Sequence, residues 1–372
     1  MTARLADSFG SGPDFTVGIE EELLLVDSVG HALSHSSSRV LDAMGMDPTR
    51  ARHDLYEAQL ELSSPPCASS PQATEHLERL RAAASSAGAT LIGTGLHPGA
   101  AFGDVRIAEG ARYRREAENL RGIVHRTPDC ALHVHVGVPD VETAISVCNG
   151  LRTLVPLLEG LAANSPFWHG LDSGLASARR TLRRGYPRVG APPHFRDFEH
   201  YSLEVAQLLA AVEADDYTLI WWEVRPHPRL GTVEVRPMDS QSSLDDAAGL
   251  AALVQSAARH FAEQPPRVGL PDEVLAEASF RACRDGLGAT IPFGDGLTPL
   301  PAATREVLAT AMPHARDLGC EDALEQVERV LREGNGADRR RAEHRRGGLA
   351  AVLEGLVSET GAGFRAARSG QP

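Results

Sequence analysis

The chain has 372 residues, of which 42% are hydrophobic and 23% are charged, and its formal net charge is −13. This is the composition of a soluble globular protein with one large domain or two ordinary ones, and the negative charge argues against a nucleic-acid-binding surface. All 37 basic residues are arginines, which excludes mechanisms that need a P-loop, kinase-type or Schiff-base lysine.

The N-terminal segment and the cysteines point to the cytoplasm. The segment before Phe15 is short and polar, and no apolar run approaches the roughly 18 residues that a membrane-spanning helix needs. The five cysteines form no C-x-x-C pair and favour neither a disulfide framework nor a zinc site. We therefore expect a cytoplasmic protein without membrane or nucleic-acid partners.

The first predicted element is a buried strand over Val17–Asp27, which carries Glu20 and Glu22. Side chains alternate between the two faces of a strand, so these carboxylates lie on one face. Buried neighbouring carboxylates repel each other, and a divalent cation such as Mg²⁺, which prefers oxygen ligands, would offset that repulsion. The alternative is an edge strand with a solvated acidic face.

The next acidic segment, 53–62, places Glu57, Gln59 and Glu61 on one strand face. By itself, this pattern is explained more simply by a solvated polar face than by a metal site.

Histidines follow on a predicted strand over Cys130–Val138. His133 and His135 lie on one face of it, and the other face is aliphatic. A His-x-His pair on a strand can bind a metal ion, and the alternative is a pair of hydrogen-bonded core histidines.

A last polar strand face carries Thr232, Glu234 and Arg236. Glu234 can bind a metal, and Arg236 can hold a carboxylate or phosphate with two hydrogen bonds. The alternative is a cross-strand ion pair.

The remaining segments are mostly predicted helices. Region 165–200, rich in Gly, Pro and Arg, is predicted to be a long flexible loop, and region 243–360 is predicted to be helical. The arginines at 339–341, 345 and 346 are predicted to form a solvated helix face, with an anion-binding edge as the alternative. Strand-rich and helix-rich segments are partly segregated, which predicts an α+β fold. The other predicted elements are helices from Ser70 to about Gly88, from Asp140 to about Ala163, over Tyr201–Val212 and near 243–264, 301–317, 321–333 and 338–360, and strands over Thr90–Gly95, Tyr217–Val224 and Thr232–Val235.

Several segments together resemble the carboxylate–amine ligase family, bacterial proteins often labelled glutamate–cysteine ligase type 2. The similar segments run in order over about 15–346, nearly the whole chain. The long stretch Trp221–Asp239 is specific, whereas the acidic strand alone is not. The segments are Phe15–Glu22, Leu132–Gly137, 164–168, 172–177, Trp221–Asp239 and Gly334–Arg339.

The resemblance implies a single glutamine-synthetase-like catalytic domain over 1–372. In such a domain a curved antiparallel sheet carries metal and nucleotide on its concave face, and helices pack on the convex face. Arg236 is implied to bind a phosphate or substrate carboxylate, with Arg179 and Arg229 as further candidates and His135 beside the metal ligands. The implied metal ligands are Glu20, Glu22, Asp54, Glu61, His133 and Glu234.

The resemblance also implies an ATP- and Mg²⁺-dependent ligase that acts on small molecules. ATP converts a carboxylate, which is a poor electrophile, into an acyl phosphate that an amine attacks, and Glu20 and Arg236 are the expected catalytic residues. The implied substrates are glutamate and cysteine, joined with weak activity to γ-glutamylcysteine, and a homodimer is compatible with the family. The 165–200 loop would close over the site and exclude water.

Two other functions are open alternatives. A metal-dependent hydrolase using His133 and His135 would need no ATP, but carboxylates outnumber histidines among the candidate ligands, which favours Mg²⁺ over Zn²⁺. A non-catalytic relative would bind a nucleotide or an amino acid without turnover.

Overall fold

The structure is a computed structural model that describes residues 5–214, 216–266, 270–294 and 296–364. The two ends of the predicted domain, 1–4 and 365–372, lie outside the described residues. The strands are β1 (Val17–Val26), β2 (Ala51–Arg52), β3 (Gln59–Ser63), β4 (Thr90–Ile92), β5 (Ala131–Gly137), β6 (Phe167–Trp168), β7 (Leu171–Asp172), β8 (Val189–Gly190), β9 (Trp221–Trp222), β10 (Val224–His227), β11 (Thr232–Asp239), β12 (Thr290–Phe293) and β13 (Gly296–Pro299). The helices are α1 (Ser37–Met44), α2 (Ser70–Ser86), α3 (Ala111–Leu120), α4 (Val141–Thr153), α5 (Val155–Leu161), α6 (Ala178–Arg183), α7 (Phe198–Ala211), α8 (Leu244–Glu263), α9 (Asp272–Asp285), α10 (Leu300–Asp317), α11 (Glu321–Glu333) and α12 (Gly336–Thr360).

A seven-stranded sheet forms the centre of the fold. Its strands follow the order β10, β11, β5, β1, β3, β2, and β4 pairs with the end of β1. The strands pair antiparallel throughout this sheet. The predicted α+β class with an antiparallel sheet and helices packed against it is therefore confirmed.

The alternation in β1 explains why the sheet has two different faces. Val17, Ile19 and Leu23 are fully buried on the face against which α2, α4, α5 and α8 pack. Glu20 and Glu22 point to the opposite face because successive strand residues alternate. Helices thus cover one face, and the other is left to charged side chains.

A buried ion pair fastens the helices to the sheet. Glu21, on the helix-covered face, accepts hydrogen bonds of 2.9 and 2.6 Å from Arg81 of α2. Arg81 also donates to the backbone carbonyls of Gln241, Ser242 and Thr360. A fully paired guanidinium can be buried at tolerable cost, and here it joins β1, the chain after β11 and the end of α12.

One hydrophobic cluster extends from Leu5 to Phe364 and includes side chains of the sheet and of the helices behind it. The single domain predicted over 1–372 stays a prediction. Along the part of the chain that the structure describes, no helix combines the length and the hydrophobicity that crossing a bilayer requires.

Region 165–200 differs from the predicted loop. It contains the β6–β7 hairpin, α6, β8 and the start of α7, and Phe167, Ala178 and Phe195 are almost completely buried. The composition of this region misleads because its elements are short and α6 buries two arginines beside Ala178, so no apolar pattern marks them. The region is a packed part of the fold.

Three other predicted elements need correction. The single helix expected after Asp140 is divided into α4 and α5 next to Pro156, which cannot donate a helical hydrogen bond. The strand expected over Tyr217–Val224 begins with a 3₁₀ turn, Tyr217–Leu219, and continues as β9 and β10. The region after residue 243 is not wholly helical, because it contains the β12–β13 hairpin.

The arginines of α12 are only partly solvated. Arg345 and Arg346 are exposed, as predicted, but the three arginines at 339–341 make ion pairs. These pairs attach α12 to α8, to its own far end and to the β6–β7 hairpin. They are Arg339–Asp246 at 2.6 Å, Arg340–Glu359 at 2.7 Å and Arg341–Asp172 at 2.9 Å.

Candidate active site

The open face of the sheet forms a cleft of about 310 Å³, called here the active-site cleft. Carboxylates, histidines and arginines from β1, β2, β3, β5, β10, β11 and α6 dominate its lining. All the site residues predicted from the sequence line it, although their individual roles stay predictions. They are Glu20, Glu22, Asp54, Glu61, His133, His135, Arg179, Arg229, Glu234 and Arg236.

The antiparallel register assembles the acidic centre of this cleft. Glu20 of β1 lies opposite His133 of β5, and Glu22 lies opposite Glu61 of β3. Directly opposed residues share a face and have Cβ atoms about 4.5–5.5 Å apart. Residues far apart in the sequence thus become one cluster of ionisable groups.

Three residues form the most compact group. Glu20, His135 and Glu234 offer oxygen and nitrogen atoms that all lie within 4.8 Å of one another. Nε2 of His135 is 3.6 Å from Glu20 and 3.9 Å from Glu234, and it is buried without a hydrogen-bond partner. Nδ1 lies 3.1 Å from Oγ1 of Thr232, a contact that orients the ring. A buried ring nitrogen facing two carboxylates fits a divalent cation.

His133 lies between the two acids of β1. Its Nδ1 is 3.6 Å from Glu20, and its Nε2 is 3.7 Å from Glu22. Burial, reinforced by the charge of Arg236, lowers the pKa of His133 to about 3. The ring is therefore neutral at physiological pH and offers a lone pair to a cation.

Glu22, Asp54 and Glu61 form a second acidic group with raised pKa values. Burial and the charge of Asp54 raise the pKa of Glu22 to about 8. Burial and the charge of Glu20 raise the pKa of Glu61 well above its ordinary value, and burial and Glu116 raise that of Asp54. Carboxyl groups crowded in this way hold protons unless a cation replaces them, which fits a second metal position.

Glu20 and Glu234 behave in the opposite way. Burial acts to raise both pKa values, but His135, His133 and Arg52 together outweigh it at Glu20. At Glu234 the charges of Arg225 and Arg236, with smaller contributions from His135 and His227, outweigh it. Both pKa values are held well below the ordinary range, so both side chains are ionised.

Two arginines flank Glu234 and differ in what else they contact. Arg225 donates to Glu234 at 2.6 Å and also to the backbone carbonyls of Thr218 and Ile220. The guanidinium of Arg236 hydrogen-bonds to Glu234 and, among the described residues, to no other group. The rest of its guanidinium is available in the cleft for a phosphate or carboxylate.

Arg179 and Arg229 are less available. Arg179, in α6, is buried 3.6 Å from Asp239 and 3.8 Å from Asp129. Arg229, in the turn between β10 and β11, is mostly exposed at the rim and pairs with Asp216 at 3.2 Å.

Comparison with known proteins identifies the family. The model of glutamate–cysteine ligase family 2 matches residues 16–355. The chain belongs to this family. Two similar relatives come from Rubrobacter xylanophilus and are provisionally named glutamate–cysteine ligases 2-1 and 2-3. The first is 35% identical over 367 residues, which cover 96% of this chain and 97% of the relative. The second is 38% identical over 362 residues, which cover 95% of this chain and 99% of the relative.

A solved structure shows the same fold. The crystal structure of a glutamate–cysteine ligase from Francisella tularensis in complex with AMP superposes with a TM-score of 0.72 at 15% identity, covering 96% of this chain and 92% of that one. Membership of glutamate–cysteine ligase family 2 confirms the predicted family and the prediction of an ATP-dependent carboxylate–amine ligase. The hydrolase and the non-catalytic relative are not favoured.

Arg52 also lines the active-site cleft, although the sequence did not predict it as a site residue. Arg52 of β2 forms ion pairs with Glu61 and, at 3.5 Å, with Glu20. Its place opposite Glu61 follows from the pairing of β2 with β3, and such register between separate strands cannot be read from the sequence.

Sequence reasoning also missed Arg183 and Tyr186. Arg183 pairs with Asp129 at 3.1 Å and lies over the ring of Tyr186, 4.8 Å from its centroid. Arg183 is four residues after Arg179, a spacing that places both on one face of a helix. The loop prediction for 165–200 concealed that spacing.

Glu57 does not belong to the cleft. It precedes β3, and its carboxylate accepts hydrogen bonds from the hydroxyls of Ser37 and Ser38. The predicted strand face therefore extends only from Gln59, whose amide donates to the carbonyl of Asp129 at 2.7 Å.

Proposed function

We propose that this cleft uses ATP and Mg²⁺ to activate the side-chain carboxylate of glutamate as an acyl phosphate and transfers the acyl group to cysteine. One observation carries the proposal. Two adjoining groups of carboxylates and histidines face Arg236, a cation whose guanidinium is largely available, within a single cleft. Burying so many charged groups costs free energy, and a charged ligand offsets that cost whereas an uncharged ligand does not.

The donors present fit Mg²⁺. Oxygen ligands predominate, and the buried atoms Nδ1 of His133 and Nε2 of His135 have no hydrogen-bond partner. Glu20, His135 and Glu234 would hold one ion, and Glu22, Asp54, Glu61 and His133 would hold a second. When bound, the ions neutralise phosphate oxygens and so lower the barrier to phosphoryl transfer.

The protein groups then supply orientation and charge. A carboxylate oxygen of the acid attacks the terminal phosphorus of ATP, and ADP leaves. The amine nitrogen attacks the carbonyl carbon of the acyl phosphate, phosphate leaves, and the nitrogen loses a proton. Arg236 stabilises the charge that develops on the transferred group. The buried α6 forms part of the cleft wall and limits access of water, which would hydrolyse the intermediate.

The test is release of ADP and phosphate by the purified protein with ATP and Mg²⁺. Glutamate and cysteine together should give stoichiometric ADP, phosphate and amide, and omission of either amino acid should suppress product. Amide formed only with another acid or amine would reject this substrate pair but keep the ligase. ATP binding without turnover for a panel of acids and amines would reject the ligase.

The location and assembly of the protein are further proposals. We place it in the cytoplasm because its five cysteines are all free and buried, which suits a reducing compartment. We also propose a homodimer, which the family resemblance supports and which sedimentation equilibrium would test.

A further inference from the structure

Arg52 differs from the other arginines of the active-site cleft in what holds its guanidinium. Its Nη2 atom forms ion pairs with Oε1 of Glu61 and, at 3.5 Å, with Oε1 of Glu20. Within the described parts of the chain, the side chain of Arg52 makes no further hydrogen bond and no further ion pair. The guanidinium is therefore held by the two acids alone.

Arginines that stabilise the fold are held in a different way. Arg225 donates to Glu234 at 2.6 Å and also to two backbone carbonyls. Arg81 donates two hydrogen bonds to Glu21 and three to backbone carbonyls. Neither guanidinium can leave without exposing several buried acceptors, which is costly. Arg52 would leave only the two carboxylates.

The place of Arg52 in the fold also allows its side chain to move. Strand β2 has two residues, lies at one end of the strand order and pairs with β3. The side chain of Arg52 is 44% exposed, whereas those of Glu20 and Glu61 are 18% and 9% exposed. Oε1 of Glu61, which faces Arg52, is buried and accepts no well-aligned hydrogen bond. A guanidinium with such long or poorly aligned contacts can turn toward solvent at small cost.

Glu20 and Glu61 are also the two acids that Arg52 keeps compatible with each other. Burial and the charge of Glu20 raise the pKa of Glu61, and the charge of Arg52 opposes both effects. Each acid belongs to one of the two metal positions proposed above, so Arg52 bridges these positions. A carboxylate oxygen in contact with the guanidinium is a poor ligand for Mg²⁺, because the two cations would repel each other at that distance.

We propose that Arg52 competes with Mg²⁺ for Glu20 and Glu61, so that the metal binds only as the guanidinium is displaced toward solvent. This inference rests on the proposed Mg²⁺-dependent function. Arg52 is then a counter-cation supplied by the chain, which stabilises the acid pair and weakens its affinity for free cations. It also favours divalent ions, because a monovalent ion brings no more charge than the guanidinium that it displaces.

The experiment removes the charge of Arg52 and measures the affinity for Mg²⁺ alone. Arg52→Met and wild type are freed of metal with a chelator, dialysed and titrated calorimetrically with Mg²⁺ in the absence of nucleotide. Arg52→Met should lower the Kd for Mg²⁺ about tenfold or more, because the coupling between charges in contact commonly exceeds the free energy of that factor. Loss of a residue with a structural role alone would raise this Kd or leave it unchanged.

Two further variants separate the contact from the general effect of charge. Arg50, two residues earlier, donates to the carbonyl of Ser63 at 3.5 Å and, among the described residues, pairs with neither acid. Arg50→Met changes the net charge equally but should lower the Kd less than about threefold, because solvent and salt screen separated charges. Arg52→Lys should stay within about threefold of wild type, because both contacts of Arg52 use the single nitrogen Nη2, which an ammonium can replace.

Thermal unfolding gives a second readout, which does not depend on activity. Without metal, Arg52→Met should melt below wild type because Glu20 and Glu61 lose their counter-charge. Saturating Mg²⁺ should raise its melting temperature by more than it raises that of wild type, since tighter binding to the folded state stabilises that state more. If Arg52→Met does not fold, Arg52→Gln, whose polar side chain suits an exposed edge strand, replaces it in both measurements.

Two results would overturn the competition. One is an unchanged or raised Kd for Mg²⁺ in the folded variant that lacks the charge of Arg52, and the other is an equal fall in Kd for Arg50→Met and Arg52→Met. Wild type and variants that bind no Mg²⁺, with or without ATP, would instead reject the proposed metal-dependent function, so the two failures are distinguishable.

Discussion

Glu20 is the residue at which the two acidic groups of the active-site cleft meet. Its carboxylate lies 3.6 Å from both His133 and His135, and it is ionised because these histidines and Arg52 together outweigh the effect of burial on its pKa. In Glu20→Gln the charge is lost while the shape is kept. We expect turnover to fall at least about 100-fold, because a lost ligand weakens both cation binding and the stabilisation of phosphate charge. ADP release at saturating substrates measures this.

The matched control for this variant is Glu325→Gln. Glu325 is exposed on α11, far along the chain from the sheet strands, and the same chemical change there should leave turnover unaffected. Activity retained in Glu20→Gln would remove Glu20 from the metal site.

Arg236 and Arg225 offer a contrast between function and stability. Arg225 is bound to Glu234 and to two carbonyls, so Arg225→Ala should lower the free energy of unfolding by about 3–5 kcal/mol, the usual cost of breaking a buried pair. Arg236→Lys keeps the charge but loses the planar fork, so kcat should fall about 100- to 1,000-fold with little loss of stability. Urea unfolding and steady-state kinetics on both variants check this, and the reverse pattern would contradict the proposed role of Arg236.

At this scale the sequence predicts side chains that share one strand. Alternation along a strand is a local property, so the sequence places Glu20 and Glu22 on one face of their strand. It likewise places His133 and His135 on one face of theirs. The sequence does not predict which of these residues oppose one another, because register depends on pairing between distant strands. This is why His135 could not be placed in the compact group with Glu20 and Glu234.

At the scale of elements, α6 carries Arg179 and Arg183 to the cleft, and its start is fixed by hydrogen bonds. The Ser177 hydroxyl accepts from the backbone N–H of Arg180 and donates to Asp239 at 2.9 Å. Ser177→Ala should cost about 1 kcal/mol of stability. It should also lower kcat roughly 10- to 100-fold, because small displacements of charged groups at a site are costly.

Ser243→Ala is the matched comparison. Ser243 begins α8 in the same way, accepting from the N–H of Asp246 at 3.3 Å, but α8 lies behind the sheet. It should lose a similar stability and keep its kcat. Thermal unfolding and kinetics on the pair separate the two effects, and an equal fall in kcat would show that α6 has no special role in the site.

The same helix shows where element prediction fails. Helices α8, α10 and α11 are long, have a regular apolar spacing and begin and end close to their predicted limits. Helix α6 has six residues and buries Arg179 and Arg180 by pairing them with acids from other elements. No apolar period marks such a helix, so only tertiary contacts define it.

At the scale of the whole molecule, the sheet separates apolar burial from buried charge. The helix-covered face contributes to the continuous hydrophobic core, and the open face gathers acids whose mutual repulsion destabilises the fold. The two-residue alternation of a strand, which the sequence shows, places the acids on one face. The pairing register between strands, which it does not show, brings them close together. The fold therefore carries an electrostatic cost where the proposed chemistry takes place.

The repulsion between these buried carboxyl groups predicts that the stability of the fold depends on pH and on Mg²⁺. The folded-state pKa of Glu22 is about 8, above its ordinary value of 4.5, so the stabilising proton is fully bound below the ordinary value and is lost as the pH rises toward 8. The raised pKa values of Glu61 and His135 act in the same direction. His133, with a pKa near 3, and the strongly acidic Glu20 and Glu234 are constant above pH 7.

We therefore expect the free energy of unfolding of chelator-treated protein to fall between pH 7 and pH 8, by up to about 1.4 kcal/mol per pH unit for each such group. The melting temperature should fall with it. Mg²⁺ replaces the protons, so its apparent affinity should increase over the same interval, and saturating Mg²⁺ should flatten the decline. Glu22→Gln removes one titrating group and should reduce the slope measured without metal. A melting temperature that rises or stays level from pH 7 to pH 8 without metal would contradict the raised pKa values, because groups that bind protons more tightly in the folded state must give a decline in this interval.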